Sequence, residues 1–220
     1  MPQLFPPNTN SLIKWSMFGG GVFLVLLVGA LMFYARATNN QVGVPVPQPV
    51  DFPHNLHVVQ TGLDCRYCHT SVETSNTASV PPTETCMTCH SQLRTNTPQL
   101  QAVFESWETG VPIQWNRVHD LPDYVYFDHS VHVNNGVGCS SCHGRVDQMV
   151  TATKAAPLTM GWCLECHRDP ATQLRPRSEV LNMEYGFPSQ PEEQRAIGTE
   201  LIEAYHIDTD RLIQCSTCHR

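Results

Sequence analysis

The chain has 220 residues, of which 41% are hydrophobic and 15% charged, and its formal net charge is −7. An acidic chain of this kind lacks the surplus of Lys and Arg that neutralises phosphates, so we expect no nucleic-acid partner. Ten cysteines and eleven histidines point instead to metal or cofactor chemistry.

The most apolar stretch of the chain follows a short N-terminal segment, residues 1–11. Residues 15–35 form an uncharged run of 21 residues, long enough to span a hydrocarbon core of about 30 Å. A cleaved signal peptide is the alternative, because Ala35-Arg36-Ala37 resembles a cleavage site. The apolar run is longer than a typical signal core, so residues 12–37 are predicted to form a retained transmembrane anchor helix.

The rest of the chain is predicted to contain a linker and one cofactor domain. Residues 38–50 contain several prolines and no charge, which indicates an extended linker. Residues 51–220 follow as the domain that contains all the cysteines. With so little protein for each candidate cofactor, we expect loops and short α-helices wrapped around the cofactors, with little or no β-sheet. A longer helix is predicted at 191–205, which starts with Pro and early acidic residues.

The pattern Cys-x-x-Cys-His occurs five times and uses every cysteine. It is the attachment signature of a c-type haem, in which two thiols bond the porphyrin and the histidine binds the iron. Zinc and disulfides are the alternatives, but neither requires a histidine after every second cysteine. The chain is therefore predicted to carry five covalently bound haem c groups. The attachment residues are Cys65, Cys68, Cys86, Cys89, Cys139, Cys142, Cys163, Cys166, Cys215 and Cys218, and the proximal iron ligands are His69, His90, His143, His167 and His219.

Six further histidines are available as sixth iron ligands, and four of them belong to a repeat. The stretch Phe-x-His-x-x-His-Val occurs at 52–58 and again at 127–133, and each copy precedes two haem motifs. The chain is therefore predicted to contain duplicated two-haem units at about 52–90 and 127–167, followed by a fifth haem at 215–219. Each unit supplies two haems and two spare histidines.

Two histidines three residues apart on a helical turn lie on one face and cannot both bind one iron from the same side. They are expected to serve two neighbouring haems. Here the sequence resembles the cytochrome c3/c7 family, in which Phe-x-His-x-x-His precedes the haem motif. By that resemblance His54 would cap the haem of Cys65 and His129 that of Cys139, while His57 and His132 would cap neighbouring haems.

The fifth distal ligand has three candidates. His119 is favoured because it lies close to the second histidine pair in the chain. Met160 stands three residues before Cys163, and methionine is a known axial ligand, although packing against a porphyrin edge is the alternative role. His206 lies in a helical pattern and is expected to face solvent.

Closely packed haems with two histidine ligands have no open position for a substrate, so they are expected to pass electrons without substrate chemistry of their own. The anchor would hold them at the membrane, where quinol is the abundant donor. Covalent haem attachment takes place on the outer face of the bacterial cytoplasmic membrane, so the haem domain is predicted to lie on that periplasmic side.

A more specific resemblance involves residues 115–149, WNRVHDLPDYVYFDHSVHVNNGVGCSSCHGRVDQM, and 157–168, PLTMGWCLECHR. These stretches, the five motifs and the single span resemble the pentahaem cytochrome subunit of alternative complex III, a bacterial quinol:acceptor oxidoreductase of respiratory or photosynthetic chains. The resemblance implies three kinds of partner: an iron–sulfur/molybdopterin-oxidoreductase-like subunit, polytopic quinol-binding membrane subunits and a monohaem cytochrome c. It also implies that quinol is oxidised in those partners.

Two other functions remain open from the sequence. One is a stand-alone quinol dehydrogenase that feeds periplasmic reductases, resembling small anchored tetrahaem cytochromes. The other is a multihaem reductase of nitrogen or sulfur oxyanions. Such enzymes need a haem with an open distal side, often with lysine in place of the motif histidine, whereas all five motifs here carry histidine.

Overall fold

The computed structural model describes residues 6–95 and 97–219. It divides between Gln41 and Val42 into two compact units. The first five residues of the predicted N-terminal segment 1–11, and Arg220 of the predicted domain 51–220, lie outside the described residues.

The first unit contains one long helix. This helix, α1, extends over Thr9–Asn40, a few residues beyond each end of the predicted 12–37, and Gln41 ends it with a left-handed φ of 43°. Within it, Thr9–Ala35 has a mean hydropathy of 2.2, and none of its most apolar window is buried. The helix is thus long and apolar enough to cross a membrane, although a signal sequence would pass the same test.

The second unit consists of short helices joined by loops, as predicted from its prolines and closely spaced motifs. Its α-helices are α2 Cys65–Cys68, α3 Thr83–His90, α4 Gln101–Thr109, α5 His129–Asn134, α6 Cys139–His143, α7 Met160–Arg168, α8 Pro191–Ala204, α9 Thr209–Leu212 and α10 Cys215–Cys218. A π-helix occupies Asn55–Gln60, and 3₁₀ turns occupy Pro98–Leu100, Val146–Gln148, Pro170–Thr172 and Arg177–Glu179. In the part of the chain that is described, β-pairing is limited to three isolated bridges. The predicted fold class is confirmed.

Capping side chains determine where several of these short helices begin. The Asp64 carboxylate accepts a hydrogen bond from the backbone N–H of Arg66 at the start of α2. Asp128 does the same for Val131 at the start of α5, and Thr159 for Trp162 at the start of α7. Because a cap satisfies a backbone donor that the helix leaves free, each cap fixes the first turn that presents a motif or a spare histidine.

The predicted linker is hydrogen-bonded to the second unit. Residues 38–40 belong to α1, and the chain then runs without regular structure, mostly extended, past residue 50. The Gly43 N–H donates to the carbonyl of Lys154 at 2.8 Å. The Gln48 side chain accepts from the Asn116 N–H at 2.9 Å and donates to its carbonyl at 2.8 Å. These bonds attach residues 43–48 to the loops that carry His119 and lead to α7.

The buried apolar side chains of the second unit are few and mostly small. Among the described residues they are Val50, Val72, Val103, Ala156, Ala171, Leu174, Val180 and Met183. No aromatic side chain is among them, although aromatic rings usually contribute much of a core. Burial of the chain's own apolar side chains is therefore modest for a unit of this length.

The helix α8 packs directly on the turn that follows the fourth motif. The Gln194 side chain, 4% exposed, donates hydrogen bonds to the carbonyls of Ala171 at 3.0 Å and Leu174 at 2.8 Å. At Gly198, one turn further along, a Cβ atom would lie 2.0 Å from the Ala171 carbonyl oxygen. Glycine is thus required there for the helix to approach the turn.

We expect Gly198→Ala to destabilise the second unit by about 1–3 kcal/mol, because the added methyl group would push α8 off the backbone of Ala171. Gly186→Ala is the matched control, since nothing lies within 4 Å of a Cβ at that position. Thermal unfolding of both holoprotein variants, followed by circular dichroism, measures the difference. Equal melting temperatures for the two variants would contradict the close packing of α8.

Candidate haem sites

Each of the five motifs has both cysteines on one helical turn, in α2, α3, α6, α7 and α10, which we number as sites 1 to 5 in chain order. Residues three apart on a helix lie on the same face, so the two thiols of each motif point to the same side. The motif histidine follows the second cysteine directly and lies either within the same helix or just after its end. All ten cysteines are free thiols, so the disulfide alternative finds no support.

The described residues contain no cluster of three or more His, Cys, Asp or Glu side chains arranged to hold a metal ion. Burial raises the pKa of the Cys139 thiol to about 11 and that of Cys142 to about 12, so both thiols are protonated at neutral pH when nothing is bound to them.

Four motif histidines are oriented by a hydrogen bond from Nδ1 to a backbone carbonyl. Because a carbonyl can only accept, Nδ1 carries the proton and the Nε2 lone pair is left for a metal. The acceptors are Ser79 O for His69 at 2.7 Å, Leu93 O for His90 at 3.1 Å, Leu212 O for His167 at 2.9 Å and Tyr124 O for His219 at 3.0 Å.

Three of the spare histidines are oriented in the same way. His57 Nδ1 lies 2.9 Å from the Pro53 carbonyl, and His132 Nδ1 lies 2.7 Å from the Asp128 carbonyl, four residues back in both cases. His129 Nδ1 instead lies 2.9 Å from the carbonyl of Asn76 in the first repeat. These rings therefore also offer Nε2 to a metal.

The structure brings these spare histidines opposite motif histidines in three pairs. The ring centres are 6.3 Å apart for His57 and His90, 6.4 Å for His129 and His143, and 6.2 Å for His132 and His167. Two imidazoles on opposite sides of one metal ion have ring centres about 6 Å apart, since each metal–nitrogen bond is about 2 Å and Nε2 lies about 1 Å from its ring centre. The residues present thus fit a haem iron at sites 2, 3 and 4.

His54 lies at site 1. Burial, followed by the nearby His69 and His57 rings, lowers the pKa of His54 to about 4, so its imidazole is neutral at pH 7. Its Nδ1 is buried without a hydrogen-bond partner. The neutral ring is the form that binds a metal.

Two phenylalanines support the spare histidines identically in both repeats. Phe52 stacks on His57 with ring centres 4.2 Å apart and meets His54 edge-on at 4.9 Å. Phe127 stacks on His132 at 4.6 Å and meets His129 edge-on at 4.8 Å. Such contacts restrict ring rotation. Sequence reasoning assigned no role to these residues, although the repeat itself contained the signal, because Phe stands two residues before each pair.

His119 lies at site 3. Its ring centre is 4.4 Å from that of His143, at an angle of 71°, which is too close for a metal ion between the two rings. Its Nε2 is buried without a partner, and burial lowers its pKa, with Lys154 and His129 contributing. At site 5 the ring that approaches His219 is Tyr124, with centres 5.8 Å apart.

The two other candidates for the fifth distal ligand lie at the surface. Met160 is the first residue of α7 and is 66% exposed. His206 is exposed and has a left-handed φ of 56° just after α8. The structure brings neither of them against a motif histidine in the way that it brings His57, His129 and His132.

A buried arginine packs against the third motif, and no sequence motif indicated it. Arg175 is 1% exposed, and its guanidinium donates to the hydroxyl groups of Ser140 at 3.3 Å and Ser141 at 3.2 Å, the two residues between Cys139 and Cys142. The ring of Tyr185 lies 4.6 Å from the guanidinium carbon. No carboxylate among the described residues forms an ion pair with Arg175. A buried cation thus lies beside site 3, and Glu179 acts on its charge without forming an ion pair with it.

His143, the motif histidine of site 3, has a strongly lowered pKa. Burial lowers the pKa of His143 to about 3, with His119, His129, His69 and His54 adding to the effect in that order. The imidazole is therefore neutral at every physiological pH, as an iron ligand must be.

Comparison with known proteins agrees with this arrangement. Residues 50–105 match the family of cytochrome c7 and related cytochrome c. The five motifs, the short helices of the described residues and this match are typical of multihaem cytochromes c, which are electron-transport proteins with covalently bound haem c. Over 218 residues the chain is 27% identical to the multihaem cytochrome c subunit of menaquinone reductase from Nitratidesulfovibrio vulgaris strain Hildenborough, covering 99% of this chain and 89% of that relative.

We expect His129→Ala to convert one haem from low spin to high spin, because it removes the ring opposite His143 and leaves the cysteines of all five motifs in place. EPR of the oxidised protein measures the spin state, and the pyridine haemochrome assay measures the number of covalent haems. His206→Ala, which removes an exposed histidine, should leave the haem of site 3 low-spin. Unchanged spectra for His129→Ala would contradict its pairing with His143.

We expect Arg175→Met to lower the reduction potential of one haem, because a buried cation disfavours the more positive ferric state. A tenfold change in the reduction equilibrium corresponds to about 59 mV for one electron, and we expect a shift of that order. Arg175→Lys keeps the charge and should shift the potential by a smaller amount. Redox titration followed by visible spectroscopy measures both variants, and equal shifts would show that the charge is not responsible.

Proposed function

We propose that this chain is a membrane-anchored pentahaem cytochrome c that relays electrons between the membrane quinone pool and a redox partner. The observation that carries the proposal is the set of imidazole pairs with ring centres 6.2–6.4 Å apart. When bound there, haem supplies an iron that takes up and gives away one electron at a time.

The chain's own residues perform three tasks in this relay. The cysteines of each motif would hold the porphyrin covalently, and the motif histidines would bind the five irons. His54, His57, His129 and His132 would occupy the distal positions at sites 1, 2, 3 and 4. With both axial positions filled by imidazole, these sites favour electron transfer over substrate binding.

Ring geometry does not identify the distal ligand of the fifth haem. We propose His119 as this ligand, because its Nε2 is buried and unpartnered and its loop continues to Tyr124, whose carbonyl orients His219. Burial keeps this imidazole neutral and able to bind a metal. Met160 and His206 remain the alternatives.

The helix α1 is proposed to anchor the haem domain on the periplasmic face of a bacterial cytoplasmic membrane. Its exposed apolar surface, including Phe18, Leu24 and Phe33, each more than half exposed, suits a lipid environment. An anchor would keep the haems close to membrane-bound quinone.

The resemblance of residues 115–168 to the pentahaem subunit of alternative complex III favours electrons arriving from quinol oxidation. The partners would then be an iron–sulfur/molybdopterin-oxidoreductase-like subunit, polytopic quinol-binding subunits and a monohaem cytochrome c. The curated relative favours a second direction, because it is a subunit of a menaquinone reductase. In that case the same haems would deliver electrons toward menaquinone.

The test is a native gel of membranes solubilised in mild detergent, stained for haem, with the proteins of the stained band identified by mass spectrometry. We expect a large band that contains polytopic and iron–sulfur subunits. The excised complex is then supplied either with menaquinol and an oxidised cytochrome c, or with a reduced cytochrome c and menaquinone. The faster direction distinguishes quinol oxidation from quinone reduction.

Two results would contradict the proposal. A band that contains this chain alone and still accepts electrons from quinol would favour a stand-alone quinol dehydrogenase. A stoichiometric high-spin haem in the oxidised protein, together with reduction of nitrogen or sulfur oxyanions, would favour a reductase.

A further inference from the structure

We infer that the five haem sites lie along one path in the order 2–1–3–4–5, so that sites 2 and 5 form its two ends. This inference rests on the proposed electron relay and adds the route that electrons take through it. The order differs from the order of the motifs in the chain, which would run 1–2–3–4–5.

Sites 1 and 2 are neighbours within the first repeat. The Tyr67 hydroxyl lies 2.8 Å from the Thr88 hydroxyl, and these residues stand between the paired cysteines of motifs 1 and 2. His54 lies beside His69, while His57, three residues later, faces His90 at 6.3 Å. One short helical segment thus joins the two sites.

Sites 3 and 4 are joined in the same way within the second repeat. His129 and His132 are both on α5, and they face the motif histidines of sites 3 and 4 at 6.4 and 6.2 Å. The two repeats therefore have the same internal arrangement.

Site 5 extends the path from site 4. The ring of His167 is oriented by the carbonyl of Leu212, the last residue of α9 and three residues before Cys215. The fifth motif thus packs against the fourth.

The connection between the repeats decides the order, and it joins site 1 to site 3. The helix α5 is bonded to the loop that follows His69: His129 Nδ1 lies 2.9 Å from the Asn76 carbonyl, and the Asn134 amide donates to the Glu73 carbonyl at 2.9 Å. These two bonds place the second histidine pair beside the loop of the first motif, so site 1 is the site of the first repeat that adjoins site 3.

Exposure of the cysteines agrees with this order independently. Cys89 of site 2 and Cys215 of site 5 are the two exposed thiols, whereas the other eight are partly buried. Exposed end haems can exchange electrons with partners, while buried central haems exchange them only with neighbours.

The residues of the five sites would hold haems, and each haem would supply reversible one-electron transfer, so that the iron that gives up an electron is oxidised as its neighbour is reduced. The donor to one end is a quinol or a reduced protein partner, and the acceptor at the other end is an oxidised protein partner or a quinone. Electron transfer between the haems would move no proton and would form or break no covalent bond.

The positions of the five irons test the order directly. Anomalous diffraction at the iron absorption edge, or cryo-electron microscopy of the complex, would locate them in the holoprotein. We expect the shortest iron–iron distances for the pairs 2–1, 1–3, 3–4 and 4–5. A shortest connection between sites 2 and 3, or a branched arrangement, would overturn the inference. Either result is obtained without any assay of quinone activity, so it is separate from the test of the proposed function.

A matched pair of variants tests the order by redox coupling. His57→Met and His132→Met change equivalent positions of the two repeats and should raise the potentials of haems 2 and 4, since a Met/His ligand set raises the potential. In the inferred order haem 2 has one neighbour and haem 4 has two. Redox titration should therefore show one further shifted haem for His57→Met and two for His132→Met.

An equal number of shifted neighbours for the two variants would overturn the inferred order, because both haems have two neighbours in the order of the chain. Five covalent haems by the pyridine haemochrome assay establish that each variant has matured. If either variant loses a haem, the iron positions of the unmodified protein decide the question.

Discussion

The hydrogen bond from histidine Nδ1 to a backbone carbonyl is the interaction on which the haem sites depend. It fixes the tautomer, aims Nε2 away from the backbone and sets the plane of the ring. Seven of the eleven histidines make such a bond. Because several of the carbonyls belong to distant segments, as Asn76 does for His129 and Leu212 does for His167, the same bonds also hold the loops together.

The two repeats orient their spare histidines with the same set of contacts. In each repeat a phenylalanine stacks on one spare histidine and meets the other edge-on, and the second spare histidine bonds the carbonyl four residues before it. A single helical segment of few residues thus orients rings toward two sites. The second unit has few buried apolar side chains of its own. The polar side chains of Arg175 and Gln194 lie in its interior and form hydrogen bonds there.

Much of the fold and of the site could be predicted from residue types and their spacing. The helical turns at the motifs, the helix near 191–205 and the lack of sheet follow from local signals, namely the haem motif, Pro and early acids, and the frequency of proline. The end points of α1 could not be predicted as well, because polar residues beyond the apolar run continue the helix. The docking of residues 43–48 was missed, because its bonds to residues 116 and 154 link segments far apart in sequence.

The sequence by itself determined the number of Cys-x-x-Cys-His motifs, the residues proposed to attach each haem, the repeat and the apolar segment, because each of these is local along the chain. Only the tertiary structure decided which spare histidine faces which motif and how the motifs follow one another in space. His119 illustrates the difference: its place beside His143 results from the packing of its loop, not from its distance along the chain. Relations between segments depend on hydrogen bonds such as that of His129 to Asn76, which no spacing rule contains.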